Sequence, residues 1–291
     1  MSDDAGRAPQ PSGGPRIGLA LGGGSARGLA HIAVLEALDE LGLRPAVIAG
    51  TSMGAICGAL YAAGVPAADI RAGFIKELTS RAAYVRRLAG KLAGGFSSLW
   101  SLRSPSVIDN VTLFEMVLPD ILHRDFAALK IPFVAVAADF YAIEQVLLDR
   151  GPLIPALAAS CALPAWARPV LLDGRVLIDG GYVNPVPFDV IKDRADITIA
   201  VDVTGDTRPG GGIKAGMVPR PLEAMTGAAQ LLFHSVIREK LKRVVPDIMI
   251  RPAVGTFRSF DFFRIGDILA AAEPSREELK RKLAQYLEAA G

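Results

Sequence analysis

Gly50-Thr51-Ser52-Met53-Gly54 stands between the apolar run Ala46-Val47-Ile48-Ala49 and the helix-compatible run Ala55 to Leu60. A serine with glycine two residues to either side, at a junction between strand and helix patterns, fits a nucleophile elbow. The tight turn holds the serine backbone in a strained conformation and lifts its hydroxyl over the sheet edge. Side chains at the flanking glycines would strike the neighbouring strand and helix. The pattern is short, and a plain strand-to-helix turn that contains serine also satisfies it.

The same alternation runs through the chain. Arg16 to Leu21 reads as a short apolar strand, followed by Gly22-Gly23-Gly24-Ser25-Ala26-Arg27-Gly28 and by Leu29, Ile32, Ala33, Leu35, Leu38 and Leu41 at helical spacing. After the elbow come a helical stretch from about Ala67 to Leu78 and a less regular segment to about Pro119. Phe133–Ala138, Val146–Leu148, Val170–Leu172, Val176–Ile178 and Ile197–Val203 are strand candidates. Asp173-Gly174 links two of them as a hairpin would. Strands alternating with helices imply a layered α/β domain with a mostly parallel sheet.

Composition narrows the class. With 291 residues, 51% hydrophobic and 21% charged, the chain can bury a large core. A formal net charge of +2 is too mild to indicate nucleic acid. Cys57 and Cys161 lie far apart among small apolar residues, as expected of reduced thiols rather than of a disulfide or metal site. Residues 1–15 read as a flexible tail without the basic and apolar regions of a secretory signal. The longest nearly uncharged stretch, Leu153 to Ala167, is too short to span a bilayer. An intracellular protein is expected.

The glycine loop leaves several backbone N–H groups free to converge on an anion at a helix start. It departs from a dinucleotide fingerprint, because Arg27 or Ser25 occupies a required glycine position, and no Gly-Lys-Ser/Thr follows as a phosphate loop needs. Beside an elbow its economical role is an oxyanion hole, with Gly23, Gly24 and Ser25 as donors. A serine nucleophile also needs a base. Of the three histidines, His31 sits where it would support the loop, His123 looks solvated, and His234 lies on a helix of unknown orientation. Asp179, at the end of an apolar strand and before Gly180-Gly181, sits where parallel-sheet sites collect. Partial desolvation would raise its basicity, and a direct hydrogen bond to the serine would make the proton transfer workable. A histidine-assisted route through His234 stays open at this point.

Taken together, the glycine loop with Leu29-Ala30-His31-Ile32, the Ser52 elbow, and Asp179-Gly180-Gly181 flanked by Ala159-Ser160, Pro164 and Asn184-Pro185-Val186-Pro187 resemble the patatin-like phospholipase family. The resemblance spans about residues 16–205 and implies a three-layer α/β/α fold. It further implies a Ser52–Asp179 dyad, no cofactor or metal, and an acyl-serine intermediate in the cleavage of phospholipid or lysophospholipid esters. It places Arg27 beside the hole, near a lipid phosphate. Residues 206–291 are expected to form a mainly helical extension packed on the same domain. Residues 78–108 mix Arg81, Arg86, Arg87, Lys91 and Arg103 with large apolar residues, and suit contact with an anionic lipid surface or a cover over an acyl pocket. An acyltransferase or histidine-assisted esterase on the same elbow, and a non-catalytic lipid-binding protein, are the alternatives.

Overall fold

The computed structural model describes residues 14–79, 109–205, 218 and 221–290. In chain order they form β1 (Ile17–Leu21), α1 (His31–Glu40), β2 (Val47–Thr51), α2 (Met53–Ala62), α3 (Ala67–Thr79) and α4 (Asn110–Val117). There follow β3 (Phe133–Asp139), β4 (Glu144–Leu148), α5 (Leu153–Ser160), β5 (Val170–Leu172), β6 (Arg175–Asp179) and α6 (Phe188–Ile191). The chain then makes β7 (Ile197–Val201), α7 (Pro221–Leu241), β8 (Ile248–Ile250), α8 (Ile265–Ala272) and α9 (Pro274–Ala290).

The eight strands among the described residues form one sheet in the order β5-β6-β3-β2-β1-β7-β8, with β4 also paired to β3. β1, β2, β3, β7 and β8 run parallel, whereas β4 and β6 run antiparallel to β3. The central strands are buried along their whole length, which is why β1, β2, β3 and β7 are continuous apolar runs without polar alternation. β5 and β6 form the hairpin expected from Asp173-Gly174, whose positive φ angles of 49° and 74° match the twist of the flanking strands.

Alternate side chains of these strands feed two cores. Leu19, Leu21, Ile48, Ile199 and Val201 point into the larger one, with α1, α2, α8 and α9. Ala20, Ala49 and Ala200 point to the opposite face, where their small size lets α6 and α7 approach through Phe188, Ile191 and Ile237. The molecule is therefore a three-layer α/β/α sandwich around a mostly parallel sheet. Residues beyond 205 add β8 to that sheet, beside β7. In α8, Ile265, Ile268, Leu269 and Ala272 are buried at the i, i+3, i+4, i+7 spacing of a core-facing helix. Lys280 of α9 reaches Glu40 of α1 at 2.6 Å.

Candidate active site

Ser52 occupies the single residue between β2 and α2, with φ 54° and ψ −124°. For a residue with a side chain this is a strained conformation, held only because its surroundings fix it. The constraint is visible on both sides. A Cβ at Gly54 would lie 2.2 Å from the Leu21 carbonyl oxygen, and one at Gly50 would lie 2.6 Å from the Gly54 carbonyl oxygen. All ten residues of α2 are buried, which anchors the turn from below. The Ser52 N–H donates to Ser160 Oγ at 3.0 Å, and that fully buried hydroxyl donates in turn to Val136 O at 2.6 Å.

Asp179 ends β6, opposite Ala137 of β3, and is 3% exposed. Its Oδ1 accepts the Gly181 N–H at 2.8 Å. Burial pushes the carboxyl up to about 6, while the Ser52 side chain and the Gly181 N–H, both stabilising the anion, oppose that rise. Above pH 6 it is therefore ionised yet more basic than an ordinary aspartate. The structure brings Ser52, Asp179, Gly23, Gly24, Ser25 and Arg27 to one cavity. Only about 50 Å³ of it is free, because Met225, Ala229 and Phe233 of α7 close over it opposite Leu163 and Trp166.

Gly23 was expected to donate to an oxyanion, but its N–H already donates to Pro185 O at 2.8 Å. Gly22 N–H is likewise held by Val201 O at 3.0 Å. The N–H groups of Gly24 and Ser25 have no acceptor among the described residues, and Ser25 itself adopts φ 51° to turn the chain into the helix. Met53, directly after Ser52 and first in α2, has an N–H outside the helical ladder. The loop is braced by His31, whose Nε2–H donates to Gly22 O at 2.7 Å. Burial lowers the His31 pKa to about 4, so the ring is neutral and spent on support.

Arg27 is 4% exposed. Burial lowers its pKa to about 10 while the Asp202 charge opposes the fall, and the guanidinium remains a cation at neutral pH. With the Gln230 amide turned so that its oxygen, not its nitrogen, faces the guanidinium, as the hydrogen-bonding chemistry requires, that oxygen accepts from Arg27 Nη1 at 2.6 Å and ties α7 to the loop. None of the three histidines lines the Ser52 cavity. His123 is exposed, and His234 faces a different hollow. Both cysteines are free. Cys161, near Ser52 and Asp179, has its thiol pushed well above the usual range by burial and by the Asp179 charge.

The family profile described as patatin-like phospholipase matches residues 19–192. The chain belongs to the patatin-like phospholipase family. An uncharacterized NTE family protein of Mycobacterium tuberculosis (strain ATCC 25618 / H37Rv) is 39% identical over 235 residues, 80% of this chain and 62% of that protein. A patatin-like phospholipase domain-containing protein of Caenorhabditis elegans is 30% identical over 283 residues, 88% of this chain and 20% of that protein. The chain thus spans less than two thirds of these relatives. VipD from Legionella pneumophila superposes with a TM-score of 0.49 at 12% identity, over 91% of this chain and 66% of that one.

Several residues of this patatin-like site escaped sequence reasoning. Ser160 and Thr51 hold the elbow, the latter donating from Oγ1 to Asn184 O at 2.8 Å, and neither had a role assigned in advance. Tyr182 and Phe233 meet edge to face, 5.4 Å between ring centres, and close the cavity through elements 51 residues apart in sequence. No local signal announces such pairs. Of the basic segment 78–108, residues 80–108 lie outside the described residues. Among the described residues, no cluster of three or more His, Cys, Asp or Glu is placed to hold a metal ion, and no helix is long and apolar enough to cross a membrane.

Proposed function

We propose that the chain is a serine acyl hydrolase that cleaves carboxylic esters of phospholipids or lysophospholipids through a Ser52–Asp179 dyad. The observation that carries this reading is the pairing of a strained, fixed Ser52 with a buried carboxylate whose pKa is raised to about 6, in a cavity closed by apolar side chains. Family membership supports it.

In the proposed reaction, the Ser52 hydroxyl attacks the ester carbonyl and Asp179 takes its proton. The developing oxyanion is met by the free N–H groups of Gly24 and Ser25, with Met53 N–H as a further donor. Protonated Asp179 gives its proton to the departing alcohol, leaving an acyl-Ser52 ester. Ionised again, Asp179 accepts a proton from water as its oxygen adds to that ester, then gives the proton to Ser52 Oγ as the acyl–Oγ bond breaks, releasing the fatty acid and restoring free Ser52 and ionised Asp179. Arg27 faces the negative charge of the lipid phosphate.

The test is labelling with a fluorophosphonate, together with hydrolysis of p-nitrophenyl esters. Ser52→Ala loses labelling and lowers kcat by about 10⁴-fold or more. Asp179→Asn folds but labels far more slowly, and the native rate rises with pH through about 6, as Asp179 ionises. An Asp179→Asn protein that labels at the native rate would sink the dyad.

A further inference from the structure

α7 separates two hollows. Met225, Ala229 and Phe233 face the Ser52 cavity. His234, Ile237, Arg238 and Leu241, spaced at i, i+3, i+4 and i+7, wall a second cavity of about 500 Å³. Its opposite wall comes from the carboxyl ends of two adjacent parallel strands, with Asp202 directly after β7 and Arg251 directly after β8. Crevices at the carboxyl ends of parallel strands are where α/β sheets bind ligands.

The polar groups there are arranged for an anion. Arg251 donates through Nε to Asp202 Oδ2 at 3.2 Å, which orients its guanidinium and leaves the two terminal nitrogens without an acceptor among the described residues. Asp202 is already engaged, its Oδ1 accepting from Thr204 N at 3.0 Å and Thr204 Oγ1 at 2.6 Å. Arg238 has no hydrogen-bond acceptor among the described residues, and His234 Nε2 is buried without a partner. Arg27 stands at the wall between the hollows, because its Nη1 lies 3.2 Å from where a Cβ on Gly205, a residue of the second cavity, would be. Among the described residues lining the cavity Asp202 is the one acid; with Arg27 at its wall and Glu239 close enough to Arg238 to feel its charge, the three arginines still outnumber the two acids. Guanidinium forks match the oxygens of a phosphate. The volume and the apolar Ile237, Leu241 and Pro252 leave room for more than a bare ion.

We infer that this second cavity binds a phosphate group, held by Arg238 and Arg251 beside the acyl site. The chemistry is shared by the head group of a lipid substrate and by a free phosphate compound. Two arms separate them. In the first, which stands apart from the acyl-hydrolase reading, inorganic phosphate is titrated into the native chain, Arg251→Gln and Arg238→Gln by calorimetry. Binding is expected in the native chain and is weakened about tenfold or more in the variants. Exposed Arg238 keeps the test intact should Arg251→Gln fail to fold.

The second arm rests on the proposed hydrolase activity. It compares a lysophospholipid with a monoacylglycerol of the same chain. A fall of about tenfold or more in the preference for the lysophospholipid in the variants assigns the cavity to the substrate head group. Weakened phosphate binding with an unchanged preference assigns it to a free phosphate. Equal phosphate binding in native and variant chains overturns the inference, whether or not the chain hydrolyses esters.

Discussion

α2, which begins directly after Ser52, and α7, which lines the Ser52 cavity, are held in opposite ways. α2, which carries the elbow, has every residue buried. Of the described α7 side chains, only Ile237 is buried, while Leu231 stays 69% exposed. α7 is fastened by polar contacts instead: Gln230 to Arg27, and Lys240 to Asn184 Oδ1, to Val186 O at 2.5 Å and to Asp189 at 2.6 Å. A strained turn needs a scaffold that cannot relax, whereas the helix bordering the cavity beside it carries no such strain and can be held so that it yields more easily. Apolar burial supplies the first property and a few hydrogen bonds the second.

This contrast can be broken or sharpened by substitution. The largest effect is expected at Gly54, where a methyl group must displace the Leu21 backbone 2.2 Å away. Gly54→Ala should cost more than about 4 kcal/mol, read as loss of folded protein in urea denaturation. Asp179→Asn should act in the other direction. The raised pKa means that the fold favours the protonated acid. This contribution is present below about pH 4, the ordinary range, and is lost as pH rises through about 6. Replacement by a neutral amide should therefore stabilise the chain at pH 8 by up to about 3 kcal/mol and give no gain at pH 4. A gain independent of pH would show that the buried charge is not its source.

Lys240→Met should leave Asn184 Oδ1 without its donor and take one donor each from Val186 O, which keeps the Phe188 N–H, and from Asp189, which keeps Asn184 Nδ2, costing about 1–3 kcal/mol. The loss should appear in hydrogen exchange as faster α7 amides against unchanged α2 amides. Equal acceleration in both helices would mean that they form one cooperative unit. The smallest effect is expected at Gly227, within α7, where a Cβ would meet nothing within 4 Å. Gly227→Ala should raise stability by about 0.5–1 kcal/mol through helix propensity alone, seen as a small rise in Tm.

The sequence by itself determined the parts whose physics is local. The elbow, the glycine loop and the strand ending in Asp179 are each a short run of residues that dictates its own backbone, and their chain order carried the family resemblance. The Asp173-Gly174 hairpin was legible for the same reason. α5, α8 and α4 were not, because apolar residues there serve contacts with elements far along the chain.

Only the tertiary structure decided how these parts combine. It diverted the Gly23 N–H to Pro185, leaving the Gly24 and Ser25 N–H groups as the donors of the loop without an acceptor among the described residues. It placed His234 in a different hollow from Ser52, and laid α7 over the site between two cavities. Hydrogen-bond partners and burial depend on which distant segments meet, and burial is what lifts Asp179 to about 6. A linear pattern can name a base, but its basicity is set by what surrounds it.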